Sequence, residues 1–227
     1  MIETRFYGAG FPYKDVGELM GKLIVIEGMD GVGRSTQTNL LRKWLEKNGF
    51  AVSDTGLRRS PLTQPGLDEA KKGHTLTPTT LSLFYATDFA DRLENQIIPA
   101  LKAGFFVLSD RYFYSIIARD VVRGADPRWA RNIYQFALVP DLVIYLRADV
   151  ASLVTRIVHG RGFNYWESGM DVIKSDNLYD SFVEYQSRMI EQFDNLAKEF
   201  NFTTIDANRS VQEIFADLRR AIRPLLK

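Results

Sequence analysis

Short apolar runs alternate with longer stretches of helical period along most of the chain. Five runs, at residues 23–26, 50–55, 105–109, 142–146 and 202–205, predict strands. Several are apolar without alternation, which is typical of strands buried on both faces of a parallel sheet. We therefore expect an α/β fold of three layers, in which helices cover both faces of a five-stranded parallel sheet. Ligands of such a sheet bind beyond the carboxyl ends of its strands.

The stretches between the strands have the spacing of amphipathic helices. Helices are predicted at about residues 35–47, 80–103, 129–138, 150–159, 176–200 and 211–222. Asn48 and Gly49 supply a stop for the first, and Pro99 marks a kink or a boundary in the second. Asp149 can N-cap the fourth, while Ser210 and Glu213 form a capping box for the last.

Two segments show neither the spacing of a helix nor that of a strand. Residues 1–21 mix aromatic residues with glycine and proline, which predicts an irregular arm that either docks on a folded surface or is partly disordered. Residues 56–78 form a long connection rich in proline and glycine, and long loops of this kind are often functional. The remainder, residues 22–227, is expected to be a single domain.

The composition of the chain excludes some kinds of site and argues against some classes of protein. The chain has 227 residues, a net charge of +1 and no cysteine, so thiolate chemistry and Cys-based metal sites are excluded. The balanced charge argues against a nucleic-acid-binding or membrane-surface protein. His74 and His159 are the two imidazole candidates. No apolar run approaches the ~20 residues of a membrane span and no signal-peptide pattern is visible, so a cytoplasmic protein is expected.

The candidate chemistry centres on residues 23–36, LIVIEGMDGVGRST. Gly28, four residues, Gly33, Arg34 and Ser35 match the P-loop spacing, with arginine in place of its lysine. Backbone N–H groups and the following helix N-terminus can hold a polyphosphate there, and the hydroxyl of Ser35 can bind Mg²⁺. The alternative is a glycine-rich turn that only joins a strand to a helix. Because arginine presents a planar fork instead of a compact ammonium, the exchange is not conservative.

Further motifs follow the P-loop in a fixed order: SDRY at 109–112, PDLVIYLRAD at 140–149, RIVHGRG at 156–162 and IDANRSVQEI at 205–214. With them the chain resembles the thymidylate kinase family from about residue 22 to its C-terminus. The resemblance implies a P-loop kinase fold with a lid at about residues 156–176. It also implies transfer of the γ-phosphoryl group of ATP, with Mg²⁺, to a deoxynucleoside monophosphate, most simply dTMP to dTDP, by a homodimer.

The resemblance assigns roles residue by residue. The donor ATP is expected to contact Gly28, Asp30, Gly31, Gly33, Arg34, Ser35, Thr36 and Arg156. Ser35 and Asp110 are expected to hold the metal, the latter through water. The catalytic residues implied are Arg34, Asp110, Arg111 and Arg161. Arg161 would neutralise charge in the transition state from the lid, and Arg111 would clamp the acceptor phosphate. The expected acceptor-binding residues are Asp30, Arg58, Arg59, Phe84, Tyr85, Arg92, Arg111 and Arg119.

The chain departs from the family pattern on the acceptor side as well as at Arg34. The segment TGLRRSPL at 55–62 stands where the family has a TREPGG-like phosphate-binding segment, so Arg58 or Arg59 either supplies the missing arginine or is surface charge. The family places a stacking aromatic four residues before an arginine that contacts the base. Two registers give the pair Phe84 and Asp88 or the pair Tyr85 and Phe89, and neither contains the arginine.

Two arginines nearby bear on the acceptor. Arg92 either swings into the base pocket or pairs with Asp88 one turn earlier on the helix, facing solvent. Arg119 stands where the family has an aromatic residue against the deoxyribose. These departures leave two alternatives to a thymidylate kinase: a kinase for another nucleoside or nucleotide, or a catalytically weak nucleotide-binding homologue.

Overall fold

A computed structural model describes residues 5–13, 15–73 and 76–226; His74 lies outside the described residues. In this part of the chain, five strands form one parallel sheet in the order β2-β3-β1-β4-β5. The strands are β1 (Lys22–Gly28), β2 (Val52–Gly56), β3 (Phe106–Asp110), β4 (Leu142–Arg147) and β5 (Thr203–Asp206). The predicted fold class, an α/β fold with a five-stranded parallel sheet, is confirmed.

Helices connect the strands. They are α1 (Arg34–Lys47), α2 (Gln64–Gly73), α3 (Pro78–Arg92), α4 (Ile98–Lys102), α5 (Phe113–Val122), α6 (Pro127–Asn132), α7 (Val150–Val158), α8 (Leu178–Glu199) and α9 (Val211–Ile222). A π-helical turn, Leu93–Ile97, joins α3 to α4, where Pro99 removes a backbone donor. The predicted N-cap at Asp149 and the capping box of Ser210 and Glu213 are both present. In the described part of the chain no helix has the length and apolar character needed to cross a membrane.

The register of the central strands positions the site. β1 is buried along nearly its whole length between β3 and β4. Ile26 pairs with Asp110 and Gly28 pairs with Leu146, so β1 and β3 end at the same edge of the sheet. The P-loop that follows β1 therefore meets the residues that follow β3.

The observed helices differ from the prediction in three places. The connection at 56–78 contains α2, which begins at Gln64 because Pro65 is compatible with a first helical turn. Helix α5 was not predicted, since residues 113–118 are buried on every side and their sequence shows no amphipathic period. The helix predicted at 129–138 ends at Asn132.

The described part of the N-terminal arm docks on the domain itself. The backbone N–H of Tyr7 donates to the carbonyl of Ala137 (3.0 Å), and the N–H of Val139 donates to the carbonyl of Arg5 (2.7 Å). These bonds pair the arm with the segment that follows α6. The ring of Tyr7 packs edge-on against Phe113, with ring centroids 5.4 Å apart. The arm therefore extends the aromatic core at the start of α5.

Candidate active site

The P-loop has the backbone geometry of an anion site. Gly33 precedes α1 with a φ of 98°, no side chain caps this helix end, and its first turn contains no acidic residue. A side chain at position 33 would meet no atom within 4 Å, so the loop is open in front of the free N–H groups. At Gly28, by contrast, a Cβ would lie 2.7 Å from the carbonyl oxygen of Leu146, which only glycine avoids. Gly31 and Thr36 lie in the same loop and first helical turn.

Ser35 and Asp110 form a pair of oxygen ligands beside the loop. The Ser35 hydroxyl donates to the Asp110 carboxylate across 3.1 Å. Burial raises the pKa of Asp110, but Arg34, Arg111 and the Ser35 hydroxyl together lower it by more, so that the pKa lies below its ordinary value and the group is ionised at neutral pH. A hydroxyl and a carboxylate side by side fit a hard cation such as Mg²⁺.

Arg34 spans the loop with several donors at once. Its Nε donates to Asp110 (2.7 Å), and its Nη1 donates to the carbonyls of Gly28 (2.6 Å) and Met29 (2.5 Å). Its Nη2 lies 3.8 Å from the Asp30 carboxylate. The guanidinium therefore joins the end of β1, the loop and the Asp110 carboxylate, which a lysine ammonium does not have the geometry to do.

Asp30 is surrounded by arginines from two elements. Arg111 approaches its carboxylate to 2.6 Å and Arg119, from α5, to 3.2 Å. Burial raises the pKa of Asp30, but Arg111, Arg119 and Arg34 lower it by more, so the group stays ionised. Arg34 also pairs with Asp110, and Glu27 lies beside Arg111, so carboxyl groups and arginines are equal in number here. Arg111 and Arg119 have further N–H donors, which suit an anion such as a phosphate.

Arg111 is held in a strained conformation. Its φ is 75°, in the left-handed region that residues with a side chain seldom adopt. Its Nη1 donates to the Ser115 hydroxyl across 2.8 Å. Burial lowers the pKa of Arg111 to about 10, so the side chain remains cationic at neutral pH.

The sequence reasoning missed Glu27, which supports this turn. The Glu27 carboxylate accepts the N–H of Tyr112 (2.8 Å) and the hydroxyl of Ser115 (2.5 Å). Burial raises the pKa of Glu27, and Arg111 opposes that rise. The signal was visible, because a glutamate interrupts an otherwise apolar central strand, where an unpaired carboxylate would be costly.

A cavity of about 580 Å³ opens beside the arginine cluster. One end is bounded by Asp30, Asp110 and Arg111, at the carboxyl edge of the sheet. The lining also includes the apolar and aromatic side chains of Leu57, Leu81, Tyr85, Ile116 and, from the lid, Trp166, together with charged side chains such as Lys71 of α2, Asp68, Asp120 and Arg123. A cavity of this size that combines charged groups with apolar and aromatic side chains is typical of a small-molecule site.

The expected acceptor residues divide into two groups. Arg58, Arg59, Tyr85 and Arg119 line the cavity together with Asp30 and Arg111. Phe84 does not line it; its ring packs towards Gly66 of α2, where a Cβ would lie 3.5 Å from the ring. Of the two registers weighed for the stacking aromatic, the structure therefore directs Tyr85 to the cavity.

Arg92 is not a cavity residue, and its expected role in binding the base is wrong. Arg92 and Asp88 are both fully buried, with Nε and carboxylate 2.9 Å apart. The Arg92–Asp88 pair that the sequence offered as the alternative does form, but it is buried and does not face solvent. Asp88 also accepts the backbone N–H groups of Arg58 (3.1 Å) and Ser60 (3.0 Å). The buried pair therefore fixes the loop after β2.

The two lid arginines have different surroundings. Arg156 donates to the carbonyls of Val32 (3.1 Å) and Ala207 (2.6 Å), which ties α7 to the P-loop and to the residues after β5. Arg161 is 57% exposed and contacts Glu167 at 2.5 Å. Glu167 lines the cavity, whereas Arg161 does not. The lid also contributes Trp166, which the sequence reasoning did not single out.

Replacing Asp30 with asparagine is expected to lower the free energy of unfolding by about 2 kcal/mol at neutral pH, because Arg111 and Arg119 lose their counter-charge. The pKa of Asp30 lies below its ordinary value of 3.8. Such a carboxyl stabilises the fold above its unfolded pKa, and that contribution is lost as the pH falls. In urea denaturation, the difference between wild type and variant should shrink from about pH 5 to about pH 2. A constant difference would contradict the assignment.

The sequence of the chain is similar to those of known thymidylate kinases over most of its length. The thymidylate kinase family model matches residues 26–218. The probable thymidylate kinase 2 of Saccharolobus solfataricus is 41% identical over 206 residues, covering 90% of this chain and 96% of the relative. The probable thymidylate kinase of Thermococcus gammatolerans is 36% identical over 209 residues, covering 88% and 94%. The thymidylate kinase of Clavibacter michiganensis is 32% identical over 224 residues, covering 92% and 97%.

Proposed function

The chain belongs to the thymidylate kinase family, and from that premise we propose that it transfers the γ-phosphoryl group of ATP to dTMP, giving dTDP and ADP. One observation carries the proposal. The P-loop and the arginine cluster around Asp30 lie at the same edge of the sheet, on the rim of a single cavity. A donor site and an acceptor site that meet at one edge are what phosphoryl transfer requires.

On the donor side, the polyphosphate of ATP lies against the N–H groups of the P-loop and the open N-terminus of α1. Ser35 and, through water, Asp110 would hold Mg²⁺, which neutralises phosphate charge when bound. Arg34 keeps Asp110 and the loop in register through the bonds described above. Arg156 and Arg161 belong to the same donor side, the former already bonded to the carbonyl of Val32 in the loop.

On the acceptor side, the phosphate of dTMP binds where Arg111 and Arg119 now contact Asp30. Both guanidinium groups have further donors for its oxygens, and their planar forks suit a bidentate contact with a phosphate. The base extends along Tyr85 and the apolar wall of the cavity. Arg58 and Arg59, in the loop after β2, also line the cavity.

The proposal also includes a homodimer acting in the cytoplasm, as the family resemblance implies. Light scattering of the purified chain tests the first part, with twice the mass of one chain as the expected result. A monomer that is fully active would overturn it.

The central experiment is an acceptor panel with ATP and Mg²⁺. We expect dTMP to give the highest kcat/KM among dTMP, dUMP, dCMP, dAMP and dGMP. A better acceptor than dTMP would favour the alternative kinase, and ATP binding without transfer to any monophosphate would favour the catalytically weak homologue. Either result would overturn the proposal.

A further inference from the structure

Lys71, in the last turn of α2, extends between two aromatic rings of the acceptor cavity. Its ammonium nitrogen lies 5.5 Å from the ring centroid of Tyr85 on α3 and 5.3 Å from that of Trp166 in the lid. The indole N–H of Trp166 donates to the backbone carbonyl of Lys71 across 3.3 Å. Three separate elements therefore hold this cation at one place.

The Lys71 ammonium has no carboxylate partner in the part of the chain that the structure describes. Burial lowers its pKa, the interaction with the Tyr85 hydroxyl opposes that shift, and the cations Arg119 and Arg58 add to it. Tyr85 can accept from one of the three ammonium donors, and a bound nucleotide can supply an acceptor for another inside the cavity.

The position of Lys71 determines which part of the nucleotide it meets. The acceptor phosphate is assigned to Arg111 and Arg119 at the edge of the sheet. Lys71 instead adjoins Tyr85, and Pro78 and Leu81 from the first turn of α3 complete an apolar wall there. An aromatic ring and an apolar wall accommodate a planar base, so the ammonium faces the edge of that base.

We propose that Lys71 determines base specificity by donating a hydrogen bond to a ring carbonyl oxygen of the acceptor pyrimidine. The inference rests on the proposed function and deepens it. An ammonium has three donors and no acceptor, so it matches the carbonyl at position 4 of thymine and opposes the amino group at position 4 of cytosine. It also supplies, from α2, the cation that the chain lacks on α3, where Asp88 and Phe89 are buried and Arg92 is paired.

The test uses dTMP and 5-methyl-dCMP, two acceptors that differ in the group at position 4 and in the proton on the adjacent N3. Wild type is expected to prefer dTMP in kcat/KM. In Lys71→Met, the ratio of the two kcat/KM values should fall by about 10-fold or more, since a charge-assisted hydrogen bond and the matching repulsion are both lost. Lys71→Arg keeps a donor-only cation and should retain most of the preference. If Lys71→Met does not fold, Lys71→Gln carries the same expectation, because its amide can also accept from an amino group.

The control is Lys102→Met, an exposed lysine in the last turn of α4, which should leave the ratio unchanged. An unchanged ratio in Lys71→Met with dTMP activity preserved would overturn the inference and leave the proposed function intact. Absence of transfer to dTMP by wild type would instead overturn the proposed function. The two failures are therefore distinguishable.

Discussion

Arg111→Met is expected to lower kcat/KM for dTMP by about 10³-fold, the range seen when a phosphate-clamping or transition-state arginine is removed. Arg111 is the most buried of the cations around Asp30. Its backbone, at a φ of 75°, is held by a bond from its N–H to the Ile26 carbonyl and by one from the Ser109 hydroxyl to its own carbonyl. Strain of this kind persists only where the surrounding structure fixes it. Loss of the guanidinium removes a preset bidentate partner for the acceptor phosphate, so both KM for dTMP and kcat should worsen.

Steady-state kinetics with varied dTMP at saturating ATP measure this effect. KM for ATP should change far less than KM for dTMP, which separates the acceptor role from general damage. Arg128→Met is a matched control, because Arg128 is 91% exposed and lies outside the cavity. Equal losses in the two KM values, or wild-type kinetics in Arg111→Met, would contradict the role assigned to Arg111.

The sheet was predictable because its strands carry their own signal. Residues 23–26 and 142–146 are continuous apolar runs, and the burial of β1 and β4 on both faces requires that composition. The caps at Asp149 and Ser210 were equally local, since each side chain bonds a backbone group three residues away. Interactions between residues that are close in sequence can therefore be predicted from the sequence alone.

Helix α5 illustrates what the sequence did not reveal. Its residues are buried by packing on α8, on α3 and on the docked arm, none of which is close in sequence. A helix covered on several sides has no polar stripe, so periodicity cannot identify it. Arg119 lies on this helix, and its approach to Asp30 depends on where α5 packs.

Arg92 shows the same limit for a site residue. The sequence allowed it to enter the base pocket or to pair with Asp88, and only tertiary structure decides, because Asp88 must also satisfy two backbone N–H groups of the loop after β2. A fully buried carboxylate that fixes a loop retains its counter-ion. The sequence did not single out Lys71, because the aromatic rings that it contacts, those of Tyr85 and Trp166, lie 14 and 95 residues further along the chain.

Arg34→Lys is expected to lower kcat by about 10-fold, and Arg34→Met by about 10³-fold or more. A lysine at this position would restore the usual P-loop sequence, yet this structure is built around the arginine. The guanidinium bonds Asp110 and two loop carbonyls while Nη2 faces Asp30. An ammonium concentrates its donors at one point, so it cannot hold the metal-site carboxylate and the loop together.

The measurement is kcat for dTMP at saturating ATP, with the Mg²⁺ dependence recorded for each variant. Because Arg34 orients Asp110, Arg34→Lys should also raise the Mg²⁺ concentration needed for half-maximal rate. Arg42→Lys, on the exposed part of α1, provides a matched control in the same helix. A gain in turnover for Arg34→Lys would show that arginine compromises the site and would support a catalytically weak homologue, whereas a loss shows that the loop has adapted to it.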